Sequence, residues 1–218
     1  MRYALLFEKG ERARWLGHLD VVRTFERGLR RSQLPVAFTN GFNPRIKLAF
    51  ASALGVGSTG GAEVAVLELT EETPSDEIAN RLNATLPPCF RVHSVQAIQS
   101  RSAGEYLSGF THARMRIWCR MDANLTISDV ESAIKSILHR DELIVTRIKN
   151  GKTLRKNIRP CLVSILIENV NDDRLILQTK QDLTRDSSAK PSEIAEALDE
   201  ILKGISYIKA HRIELLRE

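Results

Sequence analysis

The chain has 218 residues, 43% hydrophobic and 27% charged, and a formal net charge of +5. That is enough apolar sequence for one large or two small cores, and neither a disordered nor a fibrous composition. No run approaches the ~20 apolar residues that span a bilayer, and the opening MRYALLFEKGER lacks the pattern of a secretory leader, so the expectation is a cytoplasmic protein without membrane contact.

In chain order, residues 2–8 read as a short apolar strand. From Leu19 to Arg31 the apolar residues Leu19, Val22, Phe25 and Leu29 recur at helical spacing, and Pro35 ends that helix. Val36–Phe38 and Arg45–Ala53 read as strands either side of the turn-forming run Thr39–Pro44. Gly55–Gly61 reads as a glycine-rich hairpin connection, and Glu63–Leu69 as an alternating strand. Thr73 and Pro74 suit the cap and first position of a helix that stops before Pro87-Pro88, and Phe90–Ile98 is a further strand. Gln99–Gly109 reads as a polar linker.

The second half repeats the rhythm. Strands are predicted at His112–Met121, Leu143–Lys149, Leu154–Ile158, Leu162–Glu168, Leu175–Lys180 and Tyr207–Leu216, and helices at Thr126–Leu138 and Pro191–Leu202. The fold class expected is α+β, built of two ferredoxin-like (split βαβ) units with antiparallel sheets. Residues 1–100 would form a basic ferredoxin-like domain, and residues 110–218 a second one with extra strands.

Cys89, Cys119 and Cys161 are odd in number, far apart and set among apolar residues, so neither a disulfide framework nor a zinc or iron–sulfur site is expected. The five histidines follow no ligand spacing, and no metal or cofactor is called for. Gly55–Gly61 lacks the Lys and following helix of a phosphate-binding P-loop.

Charge is concentrated instead. Residues 1–50 hold ten Lys or Arg against four Asp or Glu. Arg23, Arg27 and Arg30 share one face of the first helix with Arg31 beside them, a candidate phosphate track because guanidinium grips phosphate with paired hydrogen bonds. In the turn that follows, Phe42 stands among Asn43, Arg45 and Lys47, where an aromatic could stack a base while cations hold the backbone. Arg155 and Arg159 are candidates to extend the basic surface, or to guard an edge strand. His18 and Asp20 are the candidates for acid–base chemistry; the alternative is a helix cap and a structural histidine. No catalytic constellation is complete, so an enzyme is the less favoured reading.

The run WLGHLDVVRTFERGLRRSQLPVAFTNGFNPRIKLAFASALGVG, with Asn157–Pro160, Ser187–Leu198 and His211–Leu216, resembles the radical-SAM-associated (radical-SAM-linked) family, a domain of unknown function. The chain departs from it at Asn157, commonly Asp there, and after Pro44, commonly followed by His-Pro. The resemblance implies partnership with a cobalamin-binding radical SAM protein and an RNA-related setting. The chain has no CxxxCxxC and so is not itself the radical enzyme. The leading reading is a non-catalytic module that binds RNA, or an RNA-containing substrate, for that enzyme. Two others stay open: a metal-independent RNA-cleaving or RNA-modifying enzyme using His18, and a protein–protein adaptor for the radical SAM partner.

Overall fold

The computed structural model describes residues 1–149, 151–185 and 188–217, so Ser187, at the head of one family-like segment, lies outside the described residues. The chain divides into two units, residues 1–110 with Arg217, and residues 111–216. Both are mixed α+β.

Unit 1 runs β1 (Arg2–Lys9), α1 (His18–Arg31), β2 (Leu48–Phe50), β3 (Ser58–Glu68), α2 (Ser75–Thr85), β4 (Phe90–Ile98) and a short α3 (Ala103–Ser108). β1 pairs antiparallel with β3 and β4, and β2 pairs antiparallel with β3, giving the order β4-β1-β3-β2. Strand side chains alternate, so Tyr3, Leu5 and Phe7 of β1 and Ala65 and Leu67 of β3 share one face. Onto it pack Val21, Phe25 and Leu29 of α1 and Ile78 and Leu82 of α2. Phe25 is the hub, with the rings of Phe7, Phe50 and Phe90 edge-on at 4.7, 5.5 and 5.6 Å. A Cβ at Gly28 would stand 2.8 Å from the Leu86 side chain, so glycine is what lets α1 approach the end of α2.

Unit 2 runs β5 (Phe110–Met121), α4 (Ile127–His139), β6 (Ile144–Lys149), β7 (Lys152–Asn157), β8 (Leu162–Asn171), β9 (Arg174–Asp182), α5 (Pro191–Leu202) and β10 (Ile205–Arg217). Its main sheet has the order β10-β5-β9-β8, while β6 and β7 form a separate hairpin. Ala113, Met115, Ile117, Cys119 and Met121 are the buried alternate residues of β5; α4 and α5 pack on each other, and α4 on β8. Thr126 caps α4 through a reciprocal pair of bonds with Asp129. Burial pushes the Cys119 thiol up to about 12, so it packs as an uncharged group.

Several sequence expectations are corrected. Val36–Phe38 makes only isolated bridges, to Leu69 and Ile46, and the run at Arg45–Ala53 shortens to β2. Ser58–Gly61 belongs to β3 rather than to a turn, because Lys9 of β1 pairs opposite Gly60. Gly17, not Asp20, is the N-cap of α1, and Pro74, not Thr73, that of α2; the Thr73 amide donates to the Tyr3 hydroxyl. The supposed linker contains α3, whose cap Ser102 accepts from the Glu105 amide.

Candidate nucleic-acid interface

The basic side of α1 follows from its periodicity. With Val21, Phe25 and Leu29 buried, Arg23, Arg27, Arg30 and Arg31 are left exposed. They are not equivalent. Arg23 pairs with Asp20 at 3.5 Å, and Arg31 donates to the Thr85 carbonyl of α2 at 2.6 Å. Arg27 has no hydrogen-bond or ion-pair partner among the described residues, and Arg30 lies 5.7 Å from the ring of Phe38.

Phe38 stands at the base of a hairpin-like excursion. The Ala37 amide donates to the Glu68 carbonyl, the Lys47 amide to the Ala37 carbonyl and the Thr39 amide to the Arg45 carbonyl. Those bonds anchor the loop on the edge of β3 and close it with the Arg45 amide donating to Thr39 Oγ1 at 3.0 Å. At its tip Gly41 takes φ +121°, a conformation other residues resist, and Phe42 is fully exposed rather than folded onto the core. Asn43 and Arg45 are exposed as well. Lys47 is tied down: with Arg2 it pairs with Glu68, at 3.3 and 3.0 Å. Burial opposes ionisation of Glu68, but the hydrogen bonds and charges of Arg2 and Lys47 outweigh it and hold its carboxyl below the ordinary range.

The predicted cations of the other half divide in the same way. Arg155 is exposed on the β6–β7 hairpin. Arg159 spends its guanidinium on backbone carbonyls, Nε and Nη2 donating to Leu138 at the end of α4 and Nη1 to Leu162 at 2.7 Å. Asn157 Oδ1 accepts from the amides of Leu143 and Arg159 at 2.9 and 3.0 Å, so the Asn-Ile-Arg-Pro segment has a local structural duty.

His18 opens α1 and is not joined to Asp20. Its ring stands edge-on to Phe50 at 5.6 Å and lines a cleft with Lys9, Ser52 and Glu63, whose free volume of about 10 Å3 suits one water. Lys9 and Glu63 are only 1% and 4% exposed. Burying such groups costs several kcal/mol each unless they are satisfied. Lys9 Nζ donates to the carbonyls of Leu16 and Arg14 at 2.8 and 3.4 Å, which fixes the segment leading into α1. A Cβ at residue 60 would meet the Glu63 carboxylate at 2.4 Å, so Gly60 makes room for that side chain. Lys9 and Glu63 were not singled out from the sequence. The signal was there: Lys9 continues the alternation Tyr3-Leu5-Phe7, and Glu63 heads the alternation leading to Ala65 and Leu67, so both fall on the core face. Among the described residues, no group of three His, Cys, Asp or Glu is placed to hold a metal ion.

No curated protein matches the chain. Solved structures do. A chain of a Cbf5-Nop10-Gar1 complex is similar at a TM-score of 0.57 and 9% identity, covering 96% of this chain and 47% of that one. A chain of an archaeal box H/ACA sRNP Nop10-Cbf5 complex gives 0.51 at 10% identity, covering 96% and 46%. A chain of an H/ACA RNP bound to a substrate RNA containing 2'-deoxyuridine gives 0.52 at 9%, again covering 96% and 46%. At such identities the likeness is one of fold, and this chain spans about half the length of those it resembles. Residues 2–193 match one family model, so the chain belongs to DUF2344, described as an uncharacterized protein conserved in bacteria.

Proposed function

We propose that the protein is a non-catalytic RNA-binding module in which α1 and the loop at residues 39–47 hold the nucleic acid. The observation that carries the reading is the approach of Arg30 to Phe38, which ties the basic helix face to the base of a loop whose tip exposes Phe42. Arg27 and Arg45 would bind phosphate and Phe42 would stack a base, a pairing of cations and aromatic suited to single-stranded RNA. The fold likeness to a chain of an RNP that binds substrate RNA adds support, as does the strand order β4-β1-β3-β2, consistent with a ferredoxin-like unit. The partner proposed is a radical SAM enzyme, on the family resemblance described above.

RNA affinity measured at two salt concentrations tests the reading. Affinity is expected to fall steeply with salt, and Arg27→Ala with Arg30→Ala to weaken it at least tenfold, on the order of 1.4 kcal/mol. Absence of binding at low salt, or no change in the double variant, defeats the proposal. If a radical SAM partner is captured after nuclease treatment by a protein that binds no RNA, the adaptor reading replaces it.

A second reading, metal-independent RNA cleavage or modification, is favoured by the cleft that joins His18 to buried Lys9 and Glu63. Incubation of the pure protein with RNA beside His18→Ala decides it: turnover by the wild type and none by the variant would make the protein an enzyme.

A further inference from the structure

A different surface, on unit 2, has the chemistry of a base-stacking platform. Because alternate residues of β5 are buried, Arg114, Arg116, Trp118 and Arg120 fall on the other face of the strand. Opposite them across the β5–β9 ladder stand Lys180, Gln178, Ile176 and Arg174. Within unit 2 this is the side away from the buried β5 residues. A tryptophan in a row of arginines is not what a solvated strand face requires.

Two cations lie close to Trp118. The Lys209 ammonium lies 5.1 Å and the Arg116 guanidinium 5.8 Å from its ring. Beside it opens a hollow of about 250 Å3, lined by Trp118, Arg120, Asp173, Arg174, Ile208 and Lys209. That is just under the roughly 300 Å3 at which ligand pockets begin, room for one flat ring rather than a large ligand. Carboxylates neutralise part of the face: Glu214 holds Arg114 at 2.6 Å, Glu168 holds Arg116, and Asp173 holds Arg120 at 3.3 Å. Arg174 and Lys209, also at the hollow, have no carboxylate partner among the described residues. An aromatic ring, a ring-sized hollow and surplus cations on an antiparallel sheet are what a stacked base with its flanking phosphates needs.

We infer that the β5–β9–β10 face of unit 2 is a second nucleic-acid site, which stacks a base of a single-stranded polynucleotide on Trp118 and holds its phosphates with Arg174 and Lys209. The inference uses none of the residues of α1 or the loop at 39–47, and stands or falls apart from the role proposed for them.

The test uses Trp15→Phe in the full chain, which leaves Trp118 as the one remaining tryptophan. Titration with a single-stranded oligouridylate should quench its fluorescence, and should do so equally when Arg27 and Arg30 are both alanine. Trp118→Ala should weaken binding by about tenfold and Trp118→Phe should largely restore it, since stacking is worth ~1–3 kcal/mol per base. Arg174→Ala and Lys209→Ala should each lower the salt slope by about one. Saturable binding without quenching, or Trp118→Ala folded by circular dichroism and binding as the wild type does, overturns the inference. Equal quenching by poly-glutamate overturns it too, since the face would then answer to negative charge and not to bases. Oligothymidylate in place of oligouridylate shows whether the site also accepts DNA; binding of either supports the stated class, and binding of neither ends it.

Discussion

Arg27 of unit 1 and Arg159 of unit 2 came from the same kind of sequence signal, a cluster of cations near an element end. Their surroundings are opposite. Arg27 is exposed on α1 with no ion pair or hydrogen bond among the described residues. Arg159 is half-buried and gives its donors to the carbonyls of Leu138 and Leu162, where it closes the end of α4 against the start of β8. A count of positive charge therefore locates two different things: donors left without a partner among the described residues, and donors consumed in holding the chain together. The partners of the guanidinium, not its presence, separate them.

The largest test of this contrast is Arg159→Ala. It removes the guanidinium donors from the carbonyls of Leu138 and Leu162, and is expected to cost about 2–4 kcal/mol of stability in thermal or urea unfolding, with RNA affinity of the folded protein unchanged. A stable variant with weakened RNA binding would reverse the assignment. Phe42→Ala should do the converse: a loss of ~1–3 kcal/mol in RNA binding with the melting temperature unmoved, because a fully exposed side chain contributes no core packing. Arg27→Ala with Arg30→Ala should leave stability within about 0.5 kcal/mol and reduce the salt slope by about two. A drop in melting temperature there would make the α1 arginines structural after all.

The smallest effect sharpens the comparison at Lys47, a candidate cation that the fold partly consumes. Glu68, which Lys47 and Arg2 share, has its folded pKa lowered below the ordinary 4.5. Its contribution is thus complete above that value and lost as pH falls through the lowered folded one. Unfolding curves taken from pH 6 down to pH 3 should show this acid limb in the wild type and a flatter one in Glu68→Gln. Identical limbs would mean the Arg2–Glu68–Lys47 group adds nothing and leaves Lys47 available to a ligand.

Much of the local structure was legible in the sequence. The spacing of Phe25 and Leu29 marked α1, the helix read at Thr126–Leu138 matches α4 to within a residue at each end, and Phe90–Ile98 and Pro191–Leu202 coincide with β4 and α5, because period and capping chemistry act within a few residues. Elements that owe their form to distant partners were missed. Ser58–Gly61 reads as a turn by composition and becomes strand because β1 runs alongside it, and Val36–Phe38 reads as a strand but forms only single bridges, to Leu69 and Ile46. The candidate sites show the same split. The amino-acid order alone determined which face of α1 is basic and that Phe42 sits in a tight turn. Only the tertiary structure decided that Arg30 meets Phe38, that Arg159 is spent on carbonyls, that Lys9 and Glu63 are buried beside His18, and that Trp118 lies beside Lys209. The reason is physical: helical and strand periods set the direction of a side chain from its neighbours in sequence, whereas its burial and its hydrogen-bond partners depend on residues brought together across the sheet.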